Sequence, residues 1–163
     1  MMSVISAEDG LFRDVMQILA AHFGRPDFIS ARMLFDYTNY YEKEMGKILI
    51  RRMVSFDKLI GPESLPDVKR LTNQVEDQFS SEGQRKINID PGYLSAAHLI
   101  LATGKGYTHR PYLRDGIYAD LTLIFTDGAF RTLPWTYPDY AGQEVTTMLH
   151  KIRGRYLDAL KVV

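Results

Sequence analysis

The chain contains no cysteine, and it also lacks long apolar segments. The absence of cysteine excludes disulfides, thiolate zinc sites and a cysteine nucleophile. The longest apolar runs, such as residues 99–102, are far shorter than the roughly 20 residues that a membrane-spanning helix needs. A secretory signal has a basic segment followed by an apolar one, and the N-terminus of this chain has no such pair. We therefore expect a cytoplasmic protein with no membrane partner.

An excess of charge and the known catalytic motifs are also missing. The 20 basic residues balance the 20 acidic ones, and this argues against nucleic-acid binding through bulk charge. The patterns G-x-S-x-G, G-x-G-x-x-G and H-x-x-x-H do not occur. The segment around Lys105 lacks the first glycine of a P-loop and the Ser or Thr that follows its lysine. The sequence thus predicts no zinc site, and it leaves the cofactor, the reaction and the use of a divalent metal unknown.

Apolar periodicity predicts a single α+β domain over residues 1–163, with helices packed on a mostly antiparallel sheet. In the first half, helices begin at Ser6 and Ser64, each a capping residue with Asp three residues further on. The expected strands are residues 1–5, 28–35, 47–56 and 85–90, and Pro91-Gly92 is expected to stop the last of them. This βαββαβ order is that of a ferredoxin-like unit.

The second half is richer in strands. Residues 116–126 alternate between apolar and polar side chains, and Asp127-Gly128 is a strong signal for a two-residue hairpin into residues 129–133. A last helix follows, with an inward stripe at Val145, Leu149, Ile152, Tyr156 and Leu160.

Most of the ten tyrosines and the one tryptophan are concentrated in or beside four short segments, residues 35–41, 88–93, 109–112 and 134–140. Tyr and Trp combine a large ring with one polar group, and they are therefore enriched in interfaces and ligand pockets. The four segments mark the expected functional surface.

In the first segment, polar and phenolic side chains follow a predicted strand. Asp36 is a candidate catalytic carboxylate, and we expect Tyr37, Tyr40 and Glu44 to contact a ligand. The alternative is structural, with Asp36 capping the turn and the rings covering the sheet edge.

In the second segment, Asn88 and Asp90 share one face of a strand because side chains alternate with a period of two. Asp90 is a candidate general base, or with Asn88 a pair that a metal could use, while Asn88 and Tyr93 are candidate ligand contacts. The alternative is that Asp90 stabilises the Pro-Gly turn through backbone N–H groups.

The third segment is a basic, glycine-containing loop. Together, Lys105, His109 and Arg110 are expected to hold a phosphate or carboxylate, and His109 is also a candidate catalytic residue. Nearby, Tyr112 and Tyr118 are expected to line the pocket. The alternative is a solvated basic loop.

Two further predictions concern the strands and loops around this segment. Asp120 is a third carboxylate that could act as a base or bind a divalent cation. The proline-rich residues 134–140 are expected to form a strap across the sheet, with Trp135 largely buried beneath it.

The chain resembles an uncharacterised bacterial family, the domain-of-unknown-function family 4416. The resemblance is carried, in order along nearly the whole chain, by Phe35-Asp36-Tyr37-Thr38, residues 40–46, Thr72-Asn73, residues 88–93, residues 101–103 with Lys105, His109-Arg110, Tyr112-Leu113, residues 116–119 and residues 134–140. It implies that the four segments form one unit, and it implies no particular reaction.

Two functional hypotheses follow. In the first, the chain is a small-ligand-binding protein or enzyme with a tyrosine-lined pocket for an anionic ligand, on which Asp36, Asp90, His109, Arg110 and Tyr118 converge. In the second, it is a non-catalytic interaction module whose aromatic segments form a homodimer or partner interface.

Overall fold

The computed structural model describes residues 1–161 and divides into two compact units. The first unit is Met1–Pro91, and the second begins at Gly92. Each combines helices with strands that pair antiparallel, which confirms the predicted α+β class and antiparallel sheet. The single domain over residues 1–163 stays a prediction.

The first unit begins with a strand and alternates short strands with helices. Its elements are β1 (Met2–Ser6), α1 (Leu11–Phe23), β2 (Pro26–Ile29), β3 (Met33–Phe35), α2 (Glu42–Met45), β4 (Leu49–Phe56), a 3₁₀ turn (Pro62–Ser64), α3 (Leu65–Gln78) and the first part of β5 (Ile87–Leu94). The predicted second strand, residues 28–35, is thus divided into β2 and β3.

Within this unit, β1 lies between β4 and β5, and both β2 and β3 pair with the other side of β4. All of these pairings are antiparallel. The order β2-β4-β1-β5, with α1 and α3 as the long connections, is compatible with a ferredoxin-like beginning.

The apolar core of the first unit lies between the strands and the two long helices. Val15 and Leu19 of α1 and Val75 of α3 are almost completely buried against strand residues such as Val4 and Ile89. Val15 and Leu19 are four residues apart, as are residues on one face of a helix, and Val75 lies seven residues after the buried Val68 of α3. Burying each such side chain contributes about 1.5–3 kcal/mol, so this stripe supplies much of the stability of the unit.

The prediction that Pro91-Gly92 stops a strand is wrong, because β5 continues to Leu94. Pro91 pairs with Met2 of β1. The N–H of Ile89, two residues earlier, points away from β1 to a side chain of α3. Because backbone directions repeat every two residues, the nitrogen of Pro91 also points away from β1. Its lack of an N–H therefore removes no hydrogen bond to β1.

The second unit is built around a long central strand. Its elements are the end of β5, β6 (His98–Thr103), β7 (Tyr112–Arg114), β8 (Ile117–Thr126), β9 (Ala129–Thr132), α4 (Pro138–Ala141) and α5 (Gln143–Leu160). Strand β8 pairs with β6 along one side and with β7 and β9 along the other, and β6 also pairs with residues 92–94 of β5.

The turn between β8 and β9 confirms the predicted hairpin. Asp127 and Gly128 both have positive φ angles, 50° and 74°. A two-residue turn with two left-handed residues matches the twist of the strands that it joins. The predicted final helix is confirmed as well, with Val145, Leu149 and Ile152 buried, but Leu160 of the predicted inward stripe is 45% exposed.

None of the helices within residues 1–161 combines the length and the apolar character that a bilayer span requires.

The close approach of β5 and β6 at Gly92 is testable. A Cβ at this position would collide with the backbone oxygen of Ile100 and lie 2.8 Å from Cδ2 of Leu101. We expect Gly92→Ala to lower the free energy of unfolding by roughly 1–3 kcal/mol in urea denaturation, because the strands must move apart.

Gly154 of α5 provides the matched control. Apart from the neighbouring backbone of its own helix, no described atom lies within 4 Å of a Cβ built there. Gly154→Ala should therefore raise the stability by about 0.5–1 kcal/mol through its better helix propensity. Equal effects of the two alanines would contradict the close packing at Gly92.

Candidate functional site

In the first unit, Arg85 connects three of the carboxylate and amide groups next to β5. Its Nε and Nη2 atoms donate to the two carboxylate oxygens of Glu44 at 2.8 and 2.9 Å. Its Nη1 donates to Glu76 and to Asn88, each at 3.0 Å. The amide of Asn88 then donates to Asp90 at 2.9 Å. The predicted site residues Glu44, Asn88 and Asp90 thus come together around an arginine that the sequence reasoning missed.

Two side chains of α3 complete this network at the edge of β5. Lys69 donates to the backbone oxygen of Ile89 at 3.0 Å, and the N–H of Ile89 donates to Glu76 at 2.6 Å. Lys69 also lies 3.6 Å from a carboxylate oxygen of Asp90. The helix therefore satisfies backbone groups that would otherwise require a neighbouring strand.

A sequence signal for this pair was present. Lys69 and Glu76 directly follow the buried residues Val68 and Val75 and have the same spacing of seven, so both project from the edge of the apolar helix face. Only 8% of Lys69 and 4% of Glu76 are exposed.

The network shifts several pKa values. Burial raises the pKa of Glu76, although Lys69, the N–H of Ile89 and Arg85 oppose this effect. The hydrogen bonds from Arg85 hold the pKa of Glu44 below its usual value. Burial, and then the charge of Asp90, raise the pKa of the Tyr41 phenol. Opposite charges and donors thus keep these carboxylates inside the unit.

A polar cleft of about 330 Å³ lies beside the Glu44–Arg85 pair. Its charged walls include Glu8 and Lys86, which form an ion pair of 3.0 Å. The full lining is Ala7, Glu8, Glu44, Met45, Ser81, Glu82, Gln84, Arg85 and Lys86. Among the predicted ligand-binding residues, only Glu44 belongs to this lining.

Three predicted residues before α2 lie at the surface. Asp36 is exposed, and Tyr37 and Tyr40 retain 53% and 57% of their surface. The ring of Tyr37 contacts Phe35, and that of Tyr40 contacts Tyr41.

In the second unit, Arg110 holds three parts of the chain together. Its Nε donates to Asp120 on β8 at 2.7 Å, its Nη1 to the backbone oxygen of Lys105 at 3.1 Å, and its Nη2 to the hydroxyl of Tyr137 at 2.9 Å. Burial by itself lowers the pKa of Arg110, but the bonds to Tyr137 and Asp120 outweigh that effect and raise it. The arginine side chain, only 9% exposed, therefore supports the loop that carries it.

Next to Arg110, three rings form what we call the aromatic platform: Tyr107, His109 and Trp135. The imidazole of His109 is stacked on the indole of Trp135 with centroids 4.8 Å apart, and the ring of Tyr107 lies edge-on at 5.4 Å from His109. The Nε2 atom of His109 is buried 3.7 Å from Asp120, too far for a hydrogen bond, and it has no hydrogen-bond partner among residues 1–161.

The prediction that Trp135 is largely buried is wrong, since 37% of its surface is exposed. Its indole N–H donates to the backbone oxygen of Leu121 at 2.8 Å. The hydroxyl of Thr136 donates to the backbone oxygen of Thr122 at 2.6 Å. These bonds attach the proline-rich segment to β8 by its edge, which leaves part of the indole uncovered.

The remaining predicted residues of the second unit lie in two places: Tyr112 and Tyr118 are paired on β7 and β8, and Tyr93 is on β5, paired with β6. Tyr112 and Tyr118 contact each other at 5.3 Å, and a Cβ on Gly106 would touch the ring of Tyr118. Tyr93 instead packs edge-on against His98 at 5.8 Å. The structure therefore brings Lys105, His109, Arg110, Tyr112, Tyr118 and Asp120 around one loop of this unit.

The two clusters differ in what they expose. In the first unit the charged groups bond to one another, while in the second the exposed groups are chiefly rings: Tyr107 at 68%, Tyr112 at 59% and Tyr137 at 52%. Within residues 1–161, no three His, Asp or Glu side chains are arranged to hold a metal ion. The exposed rings make the second cluster suited to stacking.

The fold and these clusters define an α+β protein with buried ion pairs and an exposed aromatic surface. The chain belongs to the family described as Domain of unknown function (DUF4416), whose model matches residues 1–156. No curated protein and no solved structure shows significant similarity to the chain.

The Glu44–Arg85 pair predicts a dependence of stability on pH. Because the folded pKa of Glu44 is depressed, its contribution is present above the unfolded value of about 4.3 and is lost as the pH falls through the folded pKa. We expect Glu44→Gln to lower the free energy of unfolding at neutral pH by about 1–2 kcal/mol, because the carboxylate is partly solvated.

Urea titrations of wild type and variant across acidic and neutral pH would measure this effect. The difference should disappear in acid, where both side chains are neutral. Glu42→Gln, on the same helix α2, is the control and should change stability by no more than about 0.5 kcal/mol. A difference that does not vary with pH would contradict the assigned role of the Glu44 charge.

Arg110→Ala should destabilise the protein strongly. Removing the guanidinium leaves the carboxylate of Asp120, 5% exposed, without its main partner, at a cost of about 3–5 kcal/mol. Arg114→Ala is the control, since the Arg114–Asp115 pair is almost half exposed and should contribute less than about 1 kcal/mol. Thermal unfolding with unchanged midpoints in both variants would show that Arg110 does not support its loop.

Proposed function

We propose that the chain is a small-ligand-binding protein that stacks a planar, anionic ligand on the aromatic platform of its second unit. The observation that carries this proposal is the stack of His109 on Trp135. His109 covers one face of the indole, and 37% of Trp135 nevertheless remains exposed. The uncovered indole surface can accept a flat ring, and such stacking is worth about 1–3 kcal/mol per ring.

The rings are held in place before any ligand arrives. Arg110 ties the loop before β7 to Asp120 and Tyr137, and the indole N–H of Trp135 is bonded to β8. A surface whose rings are already immobilised loses little conformational entropy on binding. This supports a binding role for rings that are too exposed to serve the core.

The anionic part of the ligand is assigned to Lys105. This lysine is exposed and lies two residues before Tyr107 in the same loop. Arg110, which the sequence suggested as the anion-binding group, serves in this proposal to position the loop, because its hydrogen bonds go to Asp120, Tyr137 and a backbone oxygen.

The second candidate function is a non-catalytic interaction module. It is favoured by the exposure of Tyr107, Tyr112 and Tyr137, each more than half accessible. Aromatic side chains on a mostly flat surface are typical of protein interfaces.

The single tryptophan gives a direct test of the ligand hypothesis. Purified protein is titrated with adenosine and guanosine mono- and triphosphates while tryptophan emission is recorded. Stacking of a base on Trp135 should quench the emission in a saturable manner. Ribose 5-phosphate and inorganic phosphate, which lack the ring, should bind with little quenching and should be detected by thermal shift.

Lys105→Gln should weaken nucleotide binding about tenfold, equivalent to about 1.4 kcal/mol, without abolishing the quenching. Lys151→Gln, an exposed lysine of α5, is the control and should leave the titration unchanged. N-acetyltryptophanamide corrects for absorption by the nucleotides. If no nucleotide, phosphate or sugar phosphate quenches Trp135 or shifts the midpoint, the ligand hypothesis fails and the interaction module is the better explanation.

A further inference from the structure

The outer edge of β3 in the first unit is open to pairing. Among the described residues, β3 pairs with β4 alone. The backbone N–H of Ser30 donates to the oxygen of Met53, so Met53 directs its backbone groups to the β2 and β3 side of β4.

The direction of these groups determines which backbone atoms of β3 face outward. Arg51, two residues before Met53, faces the same way and is paired with Met33 of β3. Met33 and Phe35 therefore bond to β4. The N–H and C=O of Leu34, between them, point to the open edge.

An exposed apolar patch accompanies this edge. Leu34 is 60% exposed, and Ile48, just before β4, is 72% exposed. Leu34 is paired with Ile50, so Ile48 and Ile50 project from the same face as Leu34 because side chains alternate along a strand. Native proteins usually protect such an edge, since it is a ready template for another strand.

The charged residues on either side of Leu34 indicate which strand would pair with this open edge. Arg32 lies two positions before it and Asp36 two positions after it, and both are exposed. If two copies of β3 pair antiparallel about a two-fold axis at Leu34, each Arg32 lies opposite Asp36 of the other copy. Leu34 then lies opposite Leu34 of the other copy, and the outward N–H of each donates to the outward C=O of the other.

We propose that the chain forms a homodimer through antiparallel pairing of β3 with a second copy, centred on Leu34. In this one register the outward backbone groups of Leu34 are hydrogen-bonded, the apolar side chain of Leu34 is covered, and Arg32 and Asp36 each face an opposite charge. Arg32 lies 3.3 Å from Asp9 in its own chain, in a pair that is about half exposed and can be shared with Asp36 of the second copy. The proposal concerns the first unit and does not depend on ligand binding by the aromatic platform.

The absence of cysteine permits a clean cross-linking test. Directly opposed residues in a hydrogen-bonded antiparallel pair have Cα atoms about 5.5 Å apart, within the range of about 4.4–6.8 Å that a disulfide spans. Full-length Leu34→Cys should therefore form a disulfide-linked dimer rapidly under mild oxidation. Leu59→Cys, also exposed in the first unit, is the control and should cross-link only slowly.

A charge exchange tests the register independently of the cysteine. Arg32→Asp places a carboxylate opposite Asp36 and should raise the dimer dissociation constant about tenfold in sedimentation over a concentration series. Asp36→Arg should do the same, and the double variant should restore the wild-type value. Circular dichroism would verify that each variant is folded.

A wild-type chain that remains monomeric at every concentration, together with equal cross-linking of Leu34→Cys and Leu59→Cys, would overturn the proposal. A dimer that survives both single charge changes and gives no Leu34→Cys disulfide would overturn it too, because the contact would then lie elsewhere.

Discussion

The pairing of buried carboxylates with cationic side chains is the interaction on which both units depend. Asp120 and Glu76 are each about 95% buried, and an ionised carboxylate in such a place is costly unless it is hydrogen-bonded. Asp120 obtains its partner from the loop before β7, through Arg110, and Glu76 obtains Arg85 and the N–H of Ile89. Each pair therefore fixes the position of the segment that supplies the cation.

This constraint changes how the polar residues are interpreted. Arg110 was an attractive anion-binding group in the sequence, but in the structure its bonds hold its own loop, and Glu44 and Asn88 bond to Arg85 in the same internal manner. The groups left exposed to other molecules include Trp135 of the aromatic platform and Leu34 of the open edge. The two proposals concern these groups for that reason.

Local patterns predicted the regular elements well where burial on one face dominates. The final helix and the hairpin at Asp127-Gly128 were correct because apolar periodicity and turn chemistry are local properties. The strand end at Pro91 was wrong because the cost of a proline depends on the direction in which its nitrogen points, and only the pairing with β1 reveals that direction. The prediction that Trp135 is largely buried was wrong because the burial of its side chain depends on how its segment crosses β8.

The sequence by itself determined the α+β class, the antiparallel pairing and the family. The class and the pairing follow from periodicity and turn residues, which act over a few neighbouring positions, while the family follows from short motifs in order along nearly the whole chain. Only the tertiary structure decided which charges are partners. Arg85 and Glu44 are 41 residues apart, and Arg110 and Tyr137 are 27 apart, so no local spacing connects them. Whether a polar side chain supports the fold or remains available to a ligand depends on such distant contacts, and they form only when the chain packs.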